Sequence, residues 1–141
     1  MTQQSPRVPI AILISGRGTN MVALVRAAQA GRLSADVRLV LSNRADAVGL
    51  ERARELGVPT AVLSHRDFPD RESFDAALAD LLDAHGVRVV ALAGFMRVLT
   101  ATFLRRFPQR VVNIHPALLP SFPGMHAQRQ ALDYGVKVAG C

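Results

Sequence analysis

The sequence has few of the residues that disulfides, metal sites and membrane spans require. Its single cysteine, Cys141, cannot form an internal disulfide, which fits a protein from a reducing compartment. No set of residues has metal-ligand spacing, and no apolar run approaches the ~20 residues that span a bilayer. The opening residues 1–7 are polar and lack the apolar centre of a signal peptide. We therefore expect a soluble, cytoplasmic protein that holds no metal and contacts no membrane.

Aromatic residues are also scarce, although the chain is basic. Lysine and arginine number 17 against 11 acidic residues, which gives a formal net charge of +6. Such a charge raises the question of nucleic acid binding. However, the basic residues are scattered, and aromatic residues make up only 5% of the chain, too few for a platform on which bases stack. The composition disfavours nucleic acid and favours small anionic ligands such as phosphates and carboxylates.

Short apolar runs alternate with segments of helical period along the chain. The runs with the composition of strands are residues 9–14, 37–41, 60–63, 87–93 and 111–114. We expect the run at 87–93 to be a fully buried central strand. This alternation predicts an open, doubly wound, mostly parallel α/β sheet whose binding crevice lies at the carboxyl ends of the strands. The length of 141 residues favours a single domain.

Helix signals lie between these runs. The clearest amphipathic helix begins after Asp70, the expected N-cap, and ends near Gly86. Thr100 is expected to cap a brief helix that extends through Phe107, and residues 127–134 are expected to form a final helix. These helices supply the layers that cover the predicted sheet.

A glycine loop, residues 15–20, lies between the first predicted strand and the first predicted helix. Unpaired backbone amides and the helix dipole favour a phosphate there, and Thr19 and Asn20 add side-chain donors. The dinucleotide fingerprint needs a small residue where Met21 stands and an acid after the second strand, so NAD is disfavoured. Arg44 is suited to the 2′-phosphate of NADP, which leaves an NADP-dependent reductase open. A phospho-ligand binding module without chemistry also stays open.

Asn113 and His115 end the fifth predicted strand, and the alternation of side chains along a strand points both to the same side. An amide that donates to a carbonyl oxygen, beside an imidazole that exchanges protons near neutral pH, suits acyl transfer to an amine. A histidine before a proline at a strand end is also common as a hydrogen-bonded loop residue. The two residues alone therefore leave catalysis open.

The run from Asn113 to Gly124, Asn-Ile-His-Pro-Ala-Leu-Leu-Pro-Ser-Phe-Pro-Gly, closely resembles a segment of the phosphoribosylglycinamide formyltransferases. The resemblance covers nearly the whole chain. Residues 14–20 are similar to the phosphate loop of that family, residues 41–46 to the end of its second strand, and residues 93–99 to its folate-binding segment. Methionyl-tRNA formyltransferases and formyltetrahydrofolate hydrolases share versions of the Asn-x-His segment but differ at the first loop, so they rank second.

This resemblance implies transfer of a formyl group from 10-formyltetrahydrofolate to the amine of phosphoribosylglycinamide in de novo purine synthesis. The catalytic residues would be Asn113 and His115, which stabilise the formyl oxygen, with His115 also acting as general acid. His126 is a weaker candidate. The residues that would hold the ribose phosphate are Gly18, Thr19 and Asn20. The residues that would contact the formyl folate are Arg71, Met96, Arg97, Val98 and Leu99. Core packing is the alternative role for Met96, Val98 and Leu99.

In the resembled family, a catalytic aspartate follows in a strand beyond the position of Cys141. We therefore expect residues 1–141 to be one incomplete formyltransferase domain that lacks its C-terminal strands. The loss of a carboxylate that orients His115 would lower the rate by several orders of magnitude. It would also leave residues 111–114 as an uncovered apolar edge, which predicts self-association with another chain.

Overall fold

The computed structural model describes residues 6–114, which form a five-stranded parallel sheet with helices on both faces. The strands are β1 (Val8–Ile14), β2 (Ala35–Ser42), β3 (Thr60–Val62), β4 (Val89–Leu92) and β5 (Val111–Asn113). The helices are α1 (Thr19–Gln29), α2 (Val48–Glu55), α3 (Arg71–Ala84) and α4 (Ala101–Leu104), with a 3-10 turn at His65–Asp67. The predicted open α/β architecture is confirmed. The helix predicted at 127–134 lies outside the described residues.

The strand order across the sheet is β3-β2-β1-β4-β5. β1 is therefore the central strand, and it pairs in parallel with both β2 and β4. The chain runs from β1 to β2 and β3 in one direction and then returns to β4 and β5 on the other side. The order thus reverses between β1 and β4, and open α/β sheets bind ligands in the crevice at this point.

Two apolar layers cover the sheet because β1 is apolar on both faces. Ile10, Ile12 and Ile14 are fully buried against α1 and α2, and we call this side the α1 face. Ala11 and Leu13 are fully buried on the opposite side against α3 and α4, which we call the α3 face. This alternation of buried side chains along one strand is what a doubly covered parallel sheet requires.

The fourth predicted strand is shorter and less buried than expected. β4 comprises Val89–Leu92, is not the central strand, and has half-buried residues at both ends. Val87 and Ala93 are buried but lie outside the strand. The reason is pairing, because Val89–Leu92 is the stretch that matches Ile10–Leu13 of β1. An unbroken apolar run indicates that the residues are buried, whereas the ends of a strand are determined by pairing with the partner strand.

The helix predicted from Thr100 through Phe107 is also shorter. α4 ends at Leu104, and beyond it Arg106 and Phe107 bond to the carbonyls three residues earlier, which is 3-10 geometry. Thr100 occupies the N-cap position but makes no side-chain cap bond, since its hydroxyl donates to Asp75 at 2.6 Å. The predicted N-cap position is therefore confirmed, but the side-chain hydrogen bond expected of a cap is absent.

The apolar side chains of the last described strand are not exposed. Val111, Val112 and Ile114 are buried, and they belong to the two core layers. β5 pairs with β4 alone among the described strands. Self-association through this edge stays a prediction, and its basis is the backbone of β5, since the side chains already have partners.

Asp70 caps α3 as predicted. Its carboxylate accepts a hydrogen bond from the Ser73 backbone amide at 2.7 Å. This bond to the charged form lowers the pKa of Asp70 below its ordinary value of 3.8. A carboxyl group whose pKa is lower in the folded state stabilises the fold above its unfolded pKa, and that stabilisation is lost as the pH falls through the folded pKa.

We expect Asp70→Asn to keep the wild-type stability near neutral pH, because asparagine caps helices as well as aspartate does. Between about pH 5 and about pH 2, the variant should lose less stability than the wild type, because it has no carboxylate to protonate at this site. Urea unfolding across this range measures both effects. Asp67→Asn, an exposed acid in the adjoining 3-10 turn, serves as the control. Parallel pH profiles for the wild type and Asp70→Asn would refute the linkage.

Candidate active site

The predicted site residues lie along one edge of the sheet. Because all five strands are parallel, their carboxyl ends meet at the same edge. The register places Leu13 of β1 beside Leu92 of β4, and Leu92 beside Asn113 of β5. Two strand spacings, about 10 Å, thus separate the end of β1 from Asn113. The glycine loop after β1 and the polar end of β5 therefore open toward one crevice.

The glycine loop presents the amino end of α1. Gly18 is the N-cap residue and has a left-handed backbone, with φ of 73°. The first helical hydrogen bond runs from the Val22 amide to the Gly18 carbonyl at 2.8 Å, so the amides of residues 19–21 precede the bonded ladder. The helix has no side-chain cap bond. Gly18, Thr19 and Asn20 thus lie at a helix amino end whose geometry suits an anion.

Gly49, which the sequence did not single out, packs directly against this loop. Its amide donates to the Gly16 carbonyl at 2.9 Å. A Cβ atom on Gly49 would lie 2.5 Å from Ile14 Cδ1 and 3.0 Å from the Gly16 oxygen. The first turn of α2 therefore approaches the loop at a distance that only glycine permits. The available signal was a glycine beside helix-forming residues, where alanine is ordinarily favoured.

Ser15 links three loops at the carboxyl edge. Its hydroxyl donates to Asn43 Oδ1, after β2, at 2.6 Å, and accepts from the Met96 backbone amide, after β4, at 2.8 Å. Ser15 and Asn43 are both buried. The glycine loop and the segment of residues 93–100, which we call the β4 loop, are thus joined by one hydroxyl group.

The β4 loop exposes two large apolar side chains. Met96 is 80% exposed and Val98 is 76% exposed, so core packing, the alternative role for them, is wrong. Leu99 is half-buried and packs on the α3 face, where core packing accounts for it. Adjacent exposed apolar side chains beside a crevice are typical of a ligand surface.

The charged residues predicted near the folate lie next to α3. The Arg97 guanidinium carbon is 4.5 Å from the centroid of the Phe74 ring, a cation–π contact. Arg97 Nε is buried and has no hydrogen-bond partner among residues 6–114. Arg71 is exposed, begins α3 and lies one turn before Phe74. The structure therefore brings Arg71 and Arg97 to the same end of α3.

Asp75 holds the far end of the β4 loop. It is 1% exposed, and its Oδ2 accepts from both the amide and the hydroxyl of Thr100 at 2.6 Å each. Its Oδ1 is buried without a partner in the described part of the chain. The sequence did not indicate this residue, because an aspartate inside an amphipathic helix usually faces solvent.

Asn113 is half-buried at the end of β5. Val112 and Ile114 pack on the α1 face and Val111 on the α3 face, so alternation assigns Asn113 to the α3 face. The β4 loop residue Leu99 packs on that same face. The structure thus places Asn113 and Leu99 on one face of the sheet, whereas His115 and His126 lie outside the described residues.

Comparison with known proteins identifies the family. The formyl transferase family matches residues 8–141. This chain belongs to the formyl transferase family. Phosphoribosylglycinamide formyltransferase of Escherichia coli is 46% identical over 126 residues, which are 89% of this chain and 59% of that protein. The trifunctional purine biosynthetic protein adenosine-3 of Drosophila melanogaster is 50% identical over 96% of this chain and 10% of its own length.

Solved structures of this formyl transferase family agree in fold. Glycinamide ribonucleotide transformylase 1 of Symbiobacterium toebii has a TM-score of 0.78 and 50% identity, covering 94% of this chain and 63% of its own. Phosphoribosylglycinamide formyltransferase of Brucella melitensis has a TM-score of 0.76 and 42% identity, and the match covers 92% of this chain and 68% of that protein. The chain thus spans about three fifths to two thirds of its bacterial formyltransferase relatives.

Membership of the formyl transferase family favours a transferase over the NADP-dependent reductase and over a binding module without chemistry. Within residues 6–114, no group of three or more histidine, cysteine, aspartate or glutamate side chains is placed to hold a metal ion. Among the described helices, none is both long and apolar enough to cross a membrane.

Proposed function

We propose that this chain carries the phosphate-binding and much of the folate-binding part of a cytoplasmic phosphoribosylglycinamide formyltransferase. The enzyme transfers a formyl group from 10-formyltetrahydrofolate to the primary amine of phosphoribosylglycinamide. The observation that supports this most strongly is the carboxyl edge of the sheet, where β1 before the glycine loop, β4 before the β4 loop, and β5 with Asn113 end side by side within about 10 Å.

The acceptor's ribose phosphate binds at the amino end of α1. The amides of Gly18, Thr19 and Asn20 donate to phosphate oxygens, and the positive end of the helix dipole adds to the attraction. Gly18 suits this role because its left-handed backbone opens the loop. The close packing of Gly49 fixes the position of the loop before the ligand arrives.

The formyl folate binds along the β4 loop. Met96 and Val98 offer exposed apolar surface to its flat ring system. Arg71 and Arg97 lie where guanidinium groups suit the folate carboxylates, and Arg97 Nε has no competing partner among the described residues. Leu99 supports the loop from the core side and offers backbone contacts.

The chemistry takes place between the two bound substrates. The acceptor nitrogen forms a bond to the formyl carbon, the bond from that carbon to the folate nitrogen breaks, and a proton ends on the folate nitrogen. The Asn113 amide donates to the formyl oxygen as negative charge gathers there, and protonated His115 donates to the same oxygen. His115 then supplies the proton that the departing folate amine takes, and the proton that the acceptor nitrogen loses restores the protonated imidazole.

A formyl-transfer assay on the protein at its full encoded length tests this function. We expect tetrahydrofolate to appear with 10-formyltetrahydrofolate and phosphoribosylglycinamide together, at a rate far above that with either alone. Initiator methionyl-tRNA and water are the competing acceptors. Turnover that is faster with either of these than with phosphoribosylglycinamide would contradict the proposal and favour the sister enzymes.

Arg97→Met is expected to raise KM for the formyl folate about tenfold, because a hydrogen bond between charged groups is lost in a partly buried site. KM for phosphoribosylglycinamide should change less, since the Arg97 guanidinium packs on Phe74 of α3. Steady-state kinetics with each substrate varied in turn measure both constants. Arg105→Met changes an exposed arginine after α4 and is the control. Equal increases in the two KM values would argue against this role.

A further inference from the structure

Ser15 joins the two halves of the crevice through its hydroxyl group. It is 6% exposed and uses both hydrogen-bonding capacities of that group, donating to Asn43 Oδ1 and accepting from the Met96 amide. Both bonds are short, at 2.6 Å and 2.8 Å. A buried hydroxyl with two partners holds both of them, because the hydroxyl itself has no access to water if either partner moves away.

The glycine loop does not depend on this hydroxyl for its own shape. The Gly49 amide bonds to the Gly16 carbonyl, and the backbones of Gly18 and Gly49 are in close contact. These are backbone contacts, so a change in the Ser15 side chain leaves them in place. The phosphate site therefore has its own support.

The β4 loop is held differently, through side chains at two points. At its start the Met96 amide bonds to Ser15, and at its end the Thr100 amide and hydroxyl bond to Asp75. Between these points Met96 and Val98 project into solvent, and the packing of Arg97 on Phe74 and of Leu99 on the α3 face is the intervening support. Without the Ser15 hydroxyl, Met96 loses its hydrogen bond to the glycine loop, and the backbone bond from the Ala93 amide to the Leu13 carbonyl is what still joins the start of the β4 loop to β1.

The geometry points to Ser15 as a positioning residue for the formyl donor. Its hydroxyl fixes the position of residues 96–99 relative to the glycine loop. This rests on the proposed function, because it assigns the formyl folate to the β4 loop. Ser15 acts through Met96 and need not touch either substrate. Loss of the Ser15 hydroxyl shifts the donor relative to the acceptor's amine, and a misplacement of about 1 Å lowers a transfer rate about a hundredfold.

The test compares Ser15→Ala with Ser42→Ala in the protein at its full encoded length. Ser42 is the matched control, since it is a buried serine at the neighbouring strand end whose hydroxyl accepts from the Arg44 amide. We expect Ser15→Ala to raise KM for the formyl folate about tenfold and to lower kcat between about tenfold and a hundredfold. KM for phosphoribosylglycinamide should change less than about threefold, and Ser42→Ala should change none of these by more than that.

Two further measurements exclude a general loss of structure. Ser15→Thr restores a hydroxyl group and should recover most of the lost kcat. Hydrogen exchange on the unliganded protein should show the Met96 amide protected in the wild type and Ser42→Ala, and exposed in Ser15→Ala. This exchange readout does not depend on catalysis and applies even where the variant is less stable.

The outcomes separate the two claims. A wild-type protein without formyl transfer would overturn the proposed function and, with it, the role of Ser15 toward the donor. A wild-type protein that turns over while Ser15→Ala behaves like Ser42→Ala would overturn the positioning role alone. Equal increases in both KM values, or an unchanged Met96 amide, would overturn it as well.

Discussion

Asn113→Ala is expected to lower kcat for formyl transfer by about a hundredfold to a thousandfold, the usual loss when one donor to a developing oxyanion is removed. Asn113 is the last residue of β5, and its side chain lies on the α3 face in the same row as Leu13 and Leu92. KM should change little, because the hydrogen bond strengthens as negative charge gathers on the oxygen and is weaker in the ground state.

The fold should tolerate this change, because Asn113 is half-buried and accepts or donates no side-chain hydrogen bond within the described residues. Thermal unfolding checks that the loss is chemical. Asn113→Asp keeps the size and removes the donor, so it should lose kcat to at least the same extent. Gln29→Ala, a surface amide at the end of α1, is the control for removal of an amide. A kcat within about threefold of wild type for Asn113→Ala would contradict the oxyanion role.

Gly49→Ala is expected to lower the free energy of unfolding by about 2 kcal/mol, the middle of the range for overpacking a filled site. Alanine at a helix position ordinarily stabilises by about 0.5 to 1 kcal/mol relative to glycine. Here the new Cβ would lie 2.5 Å from Ile14 Cδ1 and 3.1 Å from Gly18 Cα. Overpacking wins because Gly18 presents backbone and Ile14 is fully buried, so neither can move freely.

The same substitution should weaken phosphate binding, because the glycine loop must shift to admit the methyl group. Urea unfolding measures the stability, and titration with phosphoribosylglycinamide measures the affinity. Gly16→Ala is the control for stability alone. A Cβ on Gly16 has no atom within 4 Å, and Gly16 is absent from the glycines with positive φ. Equal stability of Gly49→Ala and Gly16→Ala would show that the close approach carries no energetic cost.

Much of the fold was predictable from local chemistry. The strands follow from apolar runs, and α3 from its periodicity and the Asp70 cap. The predictions are wrong where residues distant in the sequence determine the local structure. β4 is shorter than its apolar run because β1 sets the paired stretch, and Thr100 bonds to Asp75 rather than to the end of its own helix.

The site was predictable in part for the same reason. The glycine loop and Asn113 stand out because each belongs to a short motif with a physical mechanism directly after a predicted strand. The roles of Ser15 and Gly49 depend on which strands are neighbours, and the sequence does not contain that order in any local pattern. Burial of Met96 and Val98 was likewise undecided until the course of the β4 loop placed both side chains in solvent.

A crystal structure of the full-length protein with phosphoribosylglycinamide and a non-transferable formyl folate analogue tests the shared crevice most directly. We predict phosphate oxygens about 3 Å from the amides of Thr19 and Asn20, and the folate ring along residues 96–99. The formyl oxygen should lie about 3 Å from the Asn113 side-chain nitrogen. Phosphate or folate bound away from the carboxyl edge of the sheet, or a formyl group out of reach of Asn113, would contradict this arrangement.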